Sequence, residues 1–243
     1  MSDNISSALR FSVARSKDRD LAAAAGEHRV NTVVWMGVGF AVAFGLALAV
    51  LVIKGTSGKS LVAGLQSTAR WSFLLFWLAY AGRAMNALFG AAFAPIARRG
   101  RELGLTYAAA HLIHVGLVVW LFHISSRPPL SGKLFDFFTI GIIWTYILAF
   151  FSIRVLADAL GPKAWRVLRV AGMNYILFAF AVDFVPSVVR AGNAHNSLLF
   201  LVGYVPFAAM CIAAPVLVLA AAAQRHLDLR YGGVAVGQAV ERG

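Results

Sequence analysis

The chain has few charged residues and only one cysteine. Charged side chains make up 13% of its 243 residues, whereas a typical soluble domain has about 25%. Because Cys211 is the single cysteine, the chain cannot form an internal disulfide, or a zinc or iron–sulfur site that needs several cysteines. No Gly-x-Gly-x-x-Gly motif opens a βαβ unit, so we expect neither a flavin nor a NAD site. Without an acid–base pair, a nucleophile triad or a phosphate loop, the hydrolase and kinase classes have no support.

What the chain has instead is long apolar runs. Apolar residues make up 60% of it, which excludes a disordered or collagen-like chain and is typical of an integral membrane protein. A membrane-spanning helix needs about 20 mostly apolar residues, and lipid offers no partner for an unpaired backbone. We therefore predict an all-α, multi-pass membrane protein, a six-helix transmembrane bundle, in the inner membrane if the source is bacterial. The predicted spans are residues 31–53, 71–96, 103–124, 135–156, 168–189 and 198–223.

Lys and Arg residues are divided unequally between the two sides that six spans imply. Fifteen lie in the N-terminal segment, the second and fourth connections and the C-terminal tail, and six lie in the other three connections. Arg83 lies within the second span. By the positive-inside rule, both termini are predicted to be cytoplasmic. Topology then explains much of the net charge of +12, and we predict no nucleic-acid partner.

The predicted spans divide the chain into three parts. Residues 1–30 form a polar cytoplasmic N-terminal segment, residues 31–223 the transmembrane domain, and residues 224–243 a cytoplasmic tail. The N-terminal segment is too long and polar for a cleavable signal peptide. It is interpreted either as a partly disordered segment or surface helix, or as a docking segment for a partner. The tail is too short for a nucleotide-binding domain.

The third predicted span carries three histidines, the most unusual feature of the sequence. An ionisable side chain within the hydrocarbon costs roughly 2.5–3.5 kcal/mol and marks a candidate functional site. At about 3.6 residues per turn, His111 and His114 lie within roughly 60° of each other, whereas His123 points to about the opposite side and lies about 13 Å farther along. Neutral imidazole is an axial ligand of haem iron. His111 and His114 are therefore candidate ligands of haem b, and hydrogen bonding between helices is the alternative.

A second axial ligand from a facing helix cannot be a histidine of this chain, because the other three histidines lie outside the predicted spans. Methionine pairs with histidine in cytochromes. The first candidate for the second ligand of the haem iron is therefore Met173. The other candidates are Met85, Met210, Cys211 or a histidine from a second chain.

Arg83 and Asp183 form another candidate pair within the predicted spans. Their axial mismatch of about 9 Å is one that a long arginine side chain can partly bridge. Such a pair is interpreted either as a structural ion pair or as part of a proton or substrate path.

Three short motifs occur between about residues 65 and 190. They are Arg70-Trp71-Ser72 before FLLFWLAYAG; the basic loop and Leu-Gly-Leu of residues 98–105 before Tyr107 and His114; and Leu160-Gly161 before Trp165-Arg166-Val167-Leu168. In this order they resemble the ferric-reductase-like transmembrane domain, in particular the six-span haem-binding membrane subunit of methionine sulfoxide reductase systems. The resemblance implies a haem-b subunit with His114 at a ligand position.

The chain departs from that family where a fifth span would supply haem-ligand histidines. Arg169 follows the motif that ends at Leu168, and Asp183 stands at the second expected position. Arginine cannot ligate iron, because its guanidinium group stays protonated. Only His114 therefore matches a ligand position of the family, and His111 is an additional histidine one turn earlier.

Three functions remain open from the sequence. The first is a haem-b electron-transfer subunit that receives electrons from quinol or a flavoprotein partner. The second is a haem-free relative that acts as a structural or assembly subunit, as Arg169 and Asp183 suggest. The third is a small transporter that uses Arg83, Asn86, Asn174 and Asp183 as a polar path, although no internal repeat is present. Membrane lipid, a protein partner or second copy of the chain, and a quinone are the expected partners.

Overall fold

The chain folds into a bundle of helices. The computed structural model describes residues 31–125, 130, 132–152, 154–191 and 198–240, and these ranges contain no strand. The predicted N-terminal segment, with its interpretation as a surface helix or docking segment, lies outside the described residues. The helices are α1 (Asn31–Lys54), α2 (Gly58–Phe89), α3 (Ala94–Arg98), α4 (Gly100–Ile124), α5 (Lys133–Phe151), α6 (Arg154–Leu160), α7 (Pro162–Ala191) and α8 (Leu198–Val240).

In the part of the chain that the structure describes, five helices are long and apolar enough to cross a membrane. The chain is therefore an all-α protein of the multi-pass membrane type, as the sequence predicts. The stretches that qualify are Asn31–Lys54, Gly100–Ile124, Lys133–Phe151, Pro162–Val189 and Val202–Arg230. The second predicted span belongs to α2, which is not among them.

Helix α2 begins at Gly58, well before the predicted start of the span at residue 71. It ends at Phe89, before the predicted end of the span at residue 96. The Ser57 side chain accepts a hydrogen bond from the backbone N–H of Ser60 and caps the start, and Gly90, with φ +83°, ends the helix. The polar residues before Trp71 do not break it, because hydroxyls such as that of Ser67 donate to the carbonyl four residues earlier. Arg70, assigned to a connection from the sequence, therefore lies inside a helix.

The fourth predicted connection is likewise mostly helical. Helix α5 ends at Phe151, the short α6 follows, and α7 begins at Pro162, six residues before the predicted start of the span at residue 168. Gly161 has φ +76°, and proline suits the first position of a helix because that N–H has no intrahelical partner. Arg169, assigned to this connection from the sequence, consequently lies in the second turn of α7.

Aromatic side chains form the centre of the bundle between α2, α4 and α7. The ring of Phe73 packs edge-on against Phe180 and Phe184, with centroids 5.0 and 5.3 Å apart. Phe76 meets Tyr107 of α4 at 5.3 Å. Because Phe73 lies opposite residues 180–184 and Tyr80 bonds Asn174, α2 and α7 run antiparallel.

Prolines interrupt the last two helices of the bundle. Pro186 lies inside α7, and Pro206 and Pro215 lie inside α8. Proline lacks an N–H, so each one leaves the carbonyl four residues earlier without its helical donor. Next to Pro186, the Ser187 hydroxyl donates to the carbonyl of Asp183 at 3.0 Å.

Candidate functional site: a histidine-lined cavity

A cavity of about 410 Å³ lies inside the bundle, in the half where α2 begins and α4 ends. Its volume falls within the range of about 300–1,000 Å³ that is usual for small-molecule sites. Side chains of α2, α4, α5, α7 and α8 line it, and most of them are aliphatic or aromatic. The charged and imidazole groups that line it are Arg70, His111, His114 and Asp183.

The ring of His114 is oriented by Thr68. Thr68 Oγ1 lies 3.2 Å from Nδ1 of His114. The same hydroxyl is within donating distance of two backbone carbonyls, that of Gly64 at 3.0 Å and that of Leu65 at 3.1 Å. A hydroxyl has one proton, and these carbonyls can only accept. We assign the proton of the neutral His114 ring to Nδ1, because Thr68 Oγ1 can then accept from His114 and donate to a carbonyl at the same time. This tautomer leaves the lone pair of Nε2 free, which is the form that binds a metal.

His111 stacks on His114 from the same helix. The two ring centroids are 5.1 Å apart and the planes differ by 15°. His111 is 8% exposed, and its Nδ1 is buried without a hydrogen-bond partner. Axial ligands approach an iron from opposite faces of the haem, so two stacked rings on one side cannot both take axial positions. The pairing of His111 with His114 in the cavity agrees with their predicted shared face.

The structure does not bring the predicted second ligands to His114. Met173 packs against the hydrophobic core and is not among the residues that line the cavity. Met85, Met210 and Cys211 also belong to or border the core and do not line it. Among the residues that the structure describes, those that share the cavity with His114 are the residues of its wall.

His123 lies away from this site. It is exposed near the end of α4 and does not line the cavity. Its placement agrees with the helical arithmetic, which directs His123 to about the opposite side from His114. His123 is therefore a suitable control for substitutions of His114, because it is a histidine of the same helix outside the cavity.

Asp183 shares the cavity with Arg70 and not with Arg83. The guanidinium carbon of Arg70 lies 4.8 Å from the centroid of the Tyr204 ring, and its Nε is buried without a hydrogen-bond partner. Arg83 is exposed and lies about 20 Å farther along α2 at about 1.5 Å per residue. The predicted ion pair between Arg83 and Asp183 is therefore not formed, because Arg70 inside α2 is the nearer cation.

The predicted polar path is also divided. Of its four residues only Asp183 lines the cavity. Asn174 accepts a hydrogen bond from the Tyr80 hydroxyl at 2.8 Å and donates to the carbonyl of Val170, outside the cavity. The four residues therefore do not share one cavity within the described part of the chain.

Thr68, Arg70 and Tyr204 are the site residues that sequence reasoning missed. Thr68 and Arg70 were placed in a connection because polar residues precede Trp71. Their spacing from Trp71 continues a helix without proline or glycine, and this was the signal that could have found them. Tyr204 carries no motif of its own, and only packing shows that it meets Arg70.

The cavity does not resemble a site for a bare metal ion. Within the residues that the structure describes, no group of three or more His, Cys, Asp or Glu side chains is placed to hold one. A haem supplies four nitrogen ligands itself and needs only one or two from the protein.

No family model matches the chain, and no curated protein or solved structure is found similar to it. The resemblance to the ferric-reductase-like domain therefore stays a prediction that depends on the motifs of the sequence itself.

Proposed function

We propose that this chain is a haem-b electron-transfer subunit of a membrane complex, with six spans and both termini in the cytoplasm. The observation that carries the proposal is the Thr68–His114 contact. In the assigned tautomer the Nδ1–H of His114 donates to Thr68, and Nε2 is free on the wall of a cavity of about 410 Å³. An imidazole whose other nitrogen donates to a fixed acceptor is the usual arrangement at a metal ligand.

In this proposal α2 is the second of the six spans and adds to the five helices that qualify by length and composition. Its 32 residues give a length of about 48 Å, more than the hydrocarbon core of about 30 Å requires. Its mean hydropathy is lower than that of the other five helices, because it carries Gln66, Arg70, Arg83 and Asn86. Helices α4 and α8 pack along it, so much of its surface meets protein instead of lipid, and a lower hydropathy is tolerated there.

The other residues of the cavity fit a haem that takes one imidazole from this chain. His114 would ligate the iron, and the Arg70 guanidinium would pair with a propionate carboxylate, since arginine binds carboxylates well. Phe180, Phe184 and the other apolar wall residues would exclude water. When bound, haem b supplies a carrier for single electrons.

Asp183 supports the family resemblance and also limits it. The motifs place Asp183 where the family has a ligand histidine, and Asp183 lines the same cavity as His114. A carboxylate at that position replaces the second imidazole, so the site would differ from the family's site with its additional histidines. Because no flavin or NAD site is predicted in this chain, its electron donor would be quinol or a partner protein.

A haem-free structural subunit is the second candidate. It is favoured by the origin of both cavity histidines from one helix, with their rings 5.1 Å apart. In this case the stacked rings and the Asp183 side chain on the cavity wall would be structural polar groups that help to hold the bundle together.

An absorption spectrum of the detergent-purified protein tests both candidates. The protein is expressed with added haem and recorded oxidised and after dithionite. We expect a Soret band in the wild type, its loss in His114→Ala and its retention in His123→Ala, which changes an exposed histidine of the same helix. A wild type without a Soret band overturns the haem proposal and leaves the haem-free candidate.

A further inference from the structure

A second cavity, which we call the α1–α4 groove, lies on the outside of the bundle between these two helices. Its volume is about 520 Å³. Phe44 and Leu48 of α1 and Leu112 of α4 line it and are 52%, 49% and 51% exposed. Ala47 and Leu117 form its floor, because they also line it but are buried in one apolar cluster. The groove therefore opens outward, towards lipid in a membrane.

The groove follows one face of each helix. Its wall residues within 44–52 of α1 and within 112–120 of α4 recur at the spacing that places side chains on one side of a helix. Gly116 of α4 leaves room in the middle, since a Cβ there would meet nothing within 4 Å. The wall is apolar except for the Thr56 hydroxyl and the indole N–H of Trp120. Such a groove suits a slender apolar ligand.

The groove covers about half of the membrane thickness. Along α1 it extends from Phe44 to the end of the helix at Lys54, which is about 15 Å at 1.5 Å per residue. The hydrocarbon core is about 30 Å thick, so the acyl chains of one leaflet cover about this length. A helix from a second copy of the chain would instead need a contact along the whole of α1. The dimensions therefore fit one acyl chain of a single leaflet.

The groove ends at a basic loop between α1 and α2. Thr56 of this loop lines the groove, and the exposed Lys54 and Lys59 lie on either side of it. The Ser60 hydroxyl donates to the Lys54 carbonyl at 2.7 Å, which closes the loop across its base. The sequence has no Asp or Glu between residues 31 and 101, so neither α1 nor α2 supplies a carboxylate to neutralise the lysines. Positive charge at a membrane surface attracts anionic headgroups.

We propose that the α1–α4 groove binds one acyl chain of an acidic phospholipid, and that Lys54 and Lys59 bind its phosphate headgroup. A lipid is favoured over a soluble anion because the basic loop stands at the end of an apolar groove. An acidic headgroup is favoured over a neutral one because two lysines flank that end. The site lies outside the bundle, is separate from the histidine-lined cavity and does not depend on haem.

Native mass spectrometry of the delipidated full chain, titrated with lipid, tests the acyl-chain part of the site. Gly116→Leu places a side chain in the groove, and leucine forms helices more readily than glycine, so the variant should fold. Each buried CH₂ contributes about four-fold to affinity, and leucine displaces at least two, so lipid should bind at least about 15-fold more weakly. Gly104→Leu is the matched control. A Cβ at Gly104 also meets nothing within 4 Å, but Gly104 lies outside the groove, about 120° around α4.

Lys54→Gln/Lys59→Gln tests the headgroup part of the site. Phosphatidylglycerol is compared with phosphatidylcholine of identical acyl chains, and the wild type should prefer phosphatidylglycerol. Each lysine near an anionic headgroup contributes roughly five-fold to affinity, so the double variant should bind phosphatidylglycerol roughly 25-fold more weakly and lose the preference. The control Lys133→Gln/Lys163→Gln removes the same charge from the first turns of α5 and α7 and should leave phosphatidylglycerol binding unchanged.

Several results would overturn the proposal. Unchanged lipid binding in Gly116→Leu would show that no acyl chain occupies the groove. Equal binding of the two lipids by the wild type, or an equal loss in the lysine control, would exclude a specific headgroup site. Binding of glycerol phosphate as tight as that of the lipid would mean a site for soluble phosphate. A dimer of the wild type that Gly116→Leu dissociates would mean that a second copy of the chain occupies the groove.

Discussion

The hydroxyl of Thr68 lies 3.2 Å from Nδ1 of His114, and in the assigned tautomer it accepts the Nδ1 proton and leaves Nε2 free. Thr68 belongs to the part of α2 that precedes the apolar run, so a residue outside the recognisable span orients the candidate ligand. The proposed chemistry of α4 is thus set by α2.

Thr68→Val keeps the shape of the side chain and removes the acceptor for His114. Loss of such a partner typically costs 10–100-fold in affinity, so haem should dissociate from the variant faster or saturate it at higher concentration. The measurement is haem titration of the apoprotein followed by the Soret band. Ser67→Ala is the matched control, because the Ser67 hydroxyl donates only to the Ala63 carbonyl. Equal affinity in the two variants would contradict the assigned role of Thr68.

Thr145→Val should destabilise the bundle more than Tyr107→Phe. The hydroxyls of Tyr107 and Thr145 lie 3.0 Å apart, and Thr145 also donates to the Gly141 carbonyl at 3.0 Å. Removing Thr145 leaves the buried Tyr107 hydroxyl alone, at a cost of about 1–3 kcal/mol. Removing the Tyr107 hydroxyl leaves Thr145 bonded, at a cost of about 0.6 kcal/mol. The free energy of unfolding in mixed detergent gives the comparison, and the reverse order would count against the hydrogen-bond geometry.

Gly39→Ala should loosen α1 from the bundle. A Cβ at Gly39 would overlap the Thr106 side chain and lie 3.0 Å from the Thr106 carbonyl oxygen, and Trp71 donates to the Gly39 carbonyl at 3.1 Å. Overpacking of this kind costs about 1–3 kcal/mol. Gly45→Ala is the control, because a Cβ there meets nothing within 4 Å. Thermal unfolding followed by tryptophan fluorescence should show a lower midpoint for Gly39→Ala alone.

Cysteine labelling tests the six-span topology. The native Cys211 is buried, so Cys211→Ala provides a background without thiols. In this background Thr56→Cys lies between α1 and α2, and Arg98→Cys lies at the other end of α2, after Gly90. In intact cells a membrane-impermeant maleimide should label Thr56→Cys and not Arg98→Cys, and inverted vesicles should give the opposite result. Labelling of both positions from one side would show that α2 does not cross the membrane.

The sequence was sufficient to predict the features that depend on helix length and periodicity. The end of α4 at Ile124 coincides with the predicted end of the third span, because an apolar run and a helix end there together. His111 and His114 face one cavity and His123 does not, as the angle per residue requires. These properties are local, and neighbouring helices do not alter them.

Features that depend on partners could not be predicted in this way. Arg70 looked like a connection residue because hydropathy treats a charge as a break, although packing on Tyr204 keeps it within α2. Met173 was an acceptable ligand by residue type, but the rotation of α7 directs it to the core. Asp183 was paired with Arg83 by depth alone, and only the packing of three helices shows that Arg70 is nearer.

The prolines of α7 and α8 give the cavity walls unequal stiffness. Pro186 removes a backbone hydrogen bond from α7 next to Asp183, and Pro206 removes one from α8 close to Tyr204. Helices α2 and α4 contain no proline, so they lose no backbone hydrogen bond in this way, and the Thr68–His114 contact links them. Any swelling of the chamber to admit a large flat molecule would therefore begin at the proline-bearing walls, while the imidazoles keep their position.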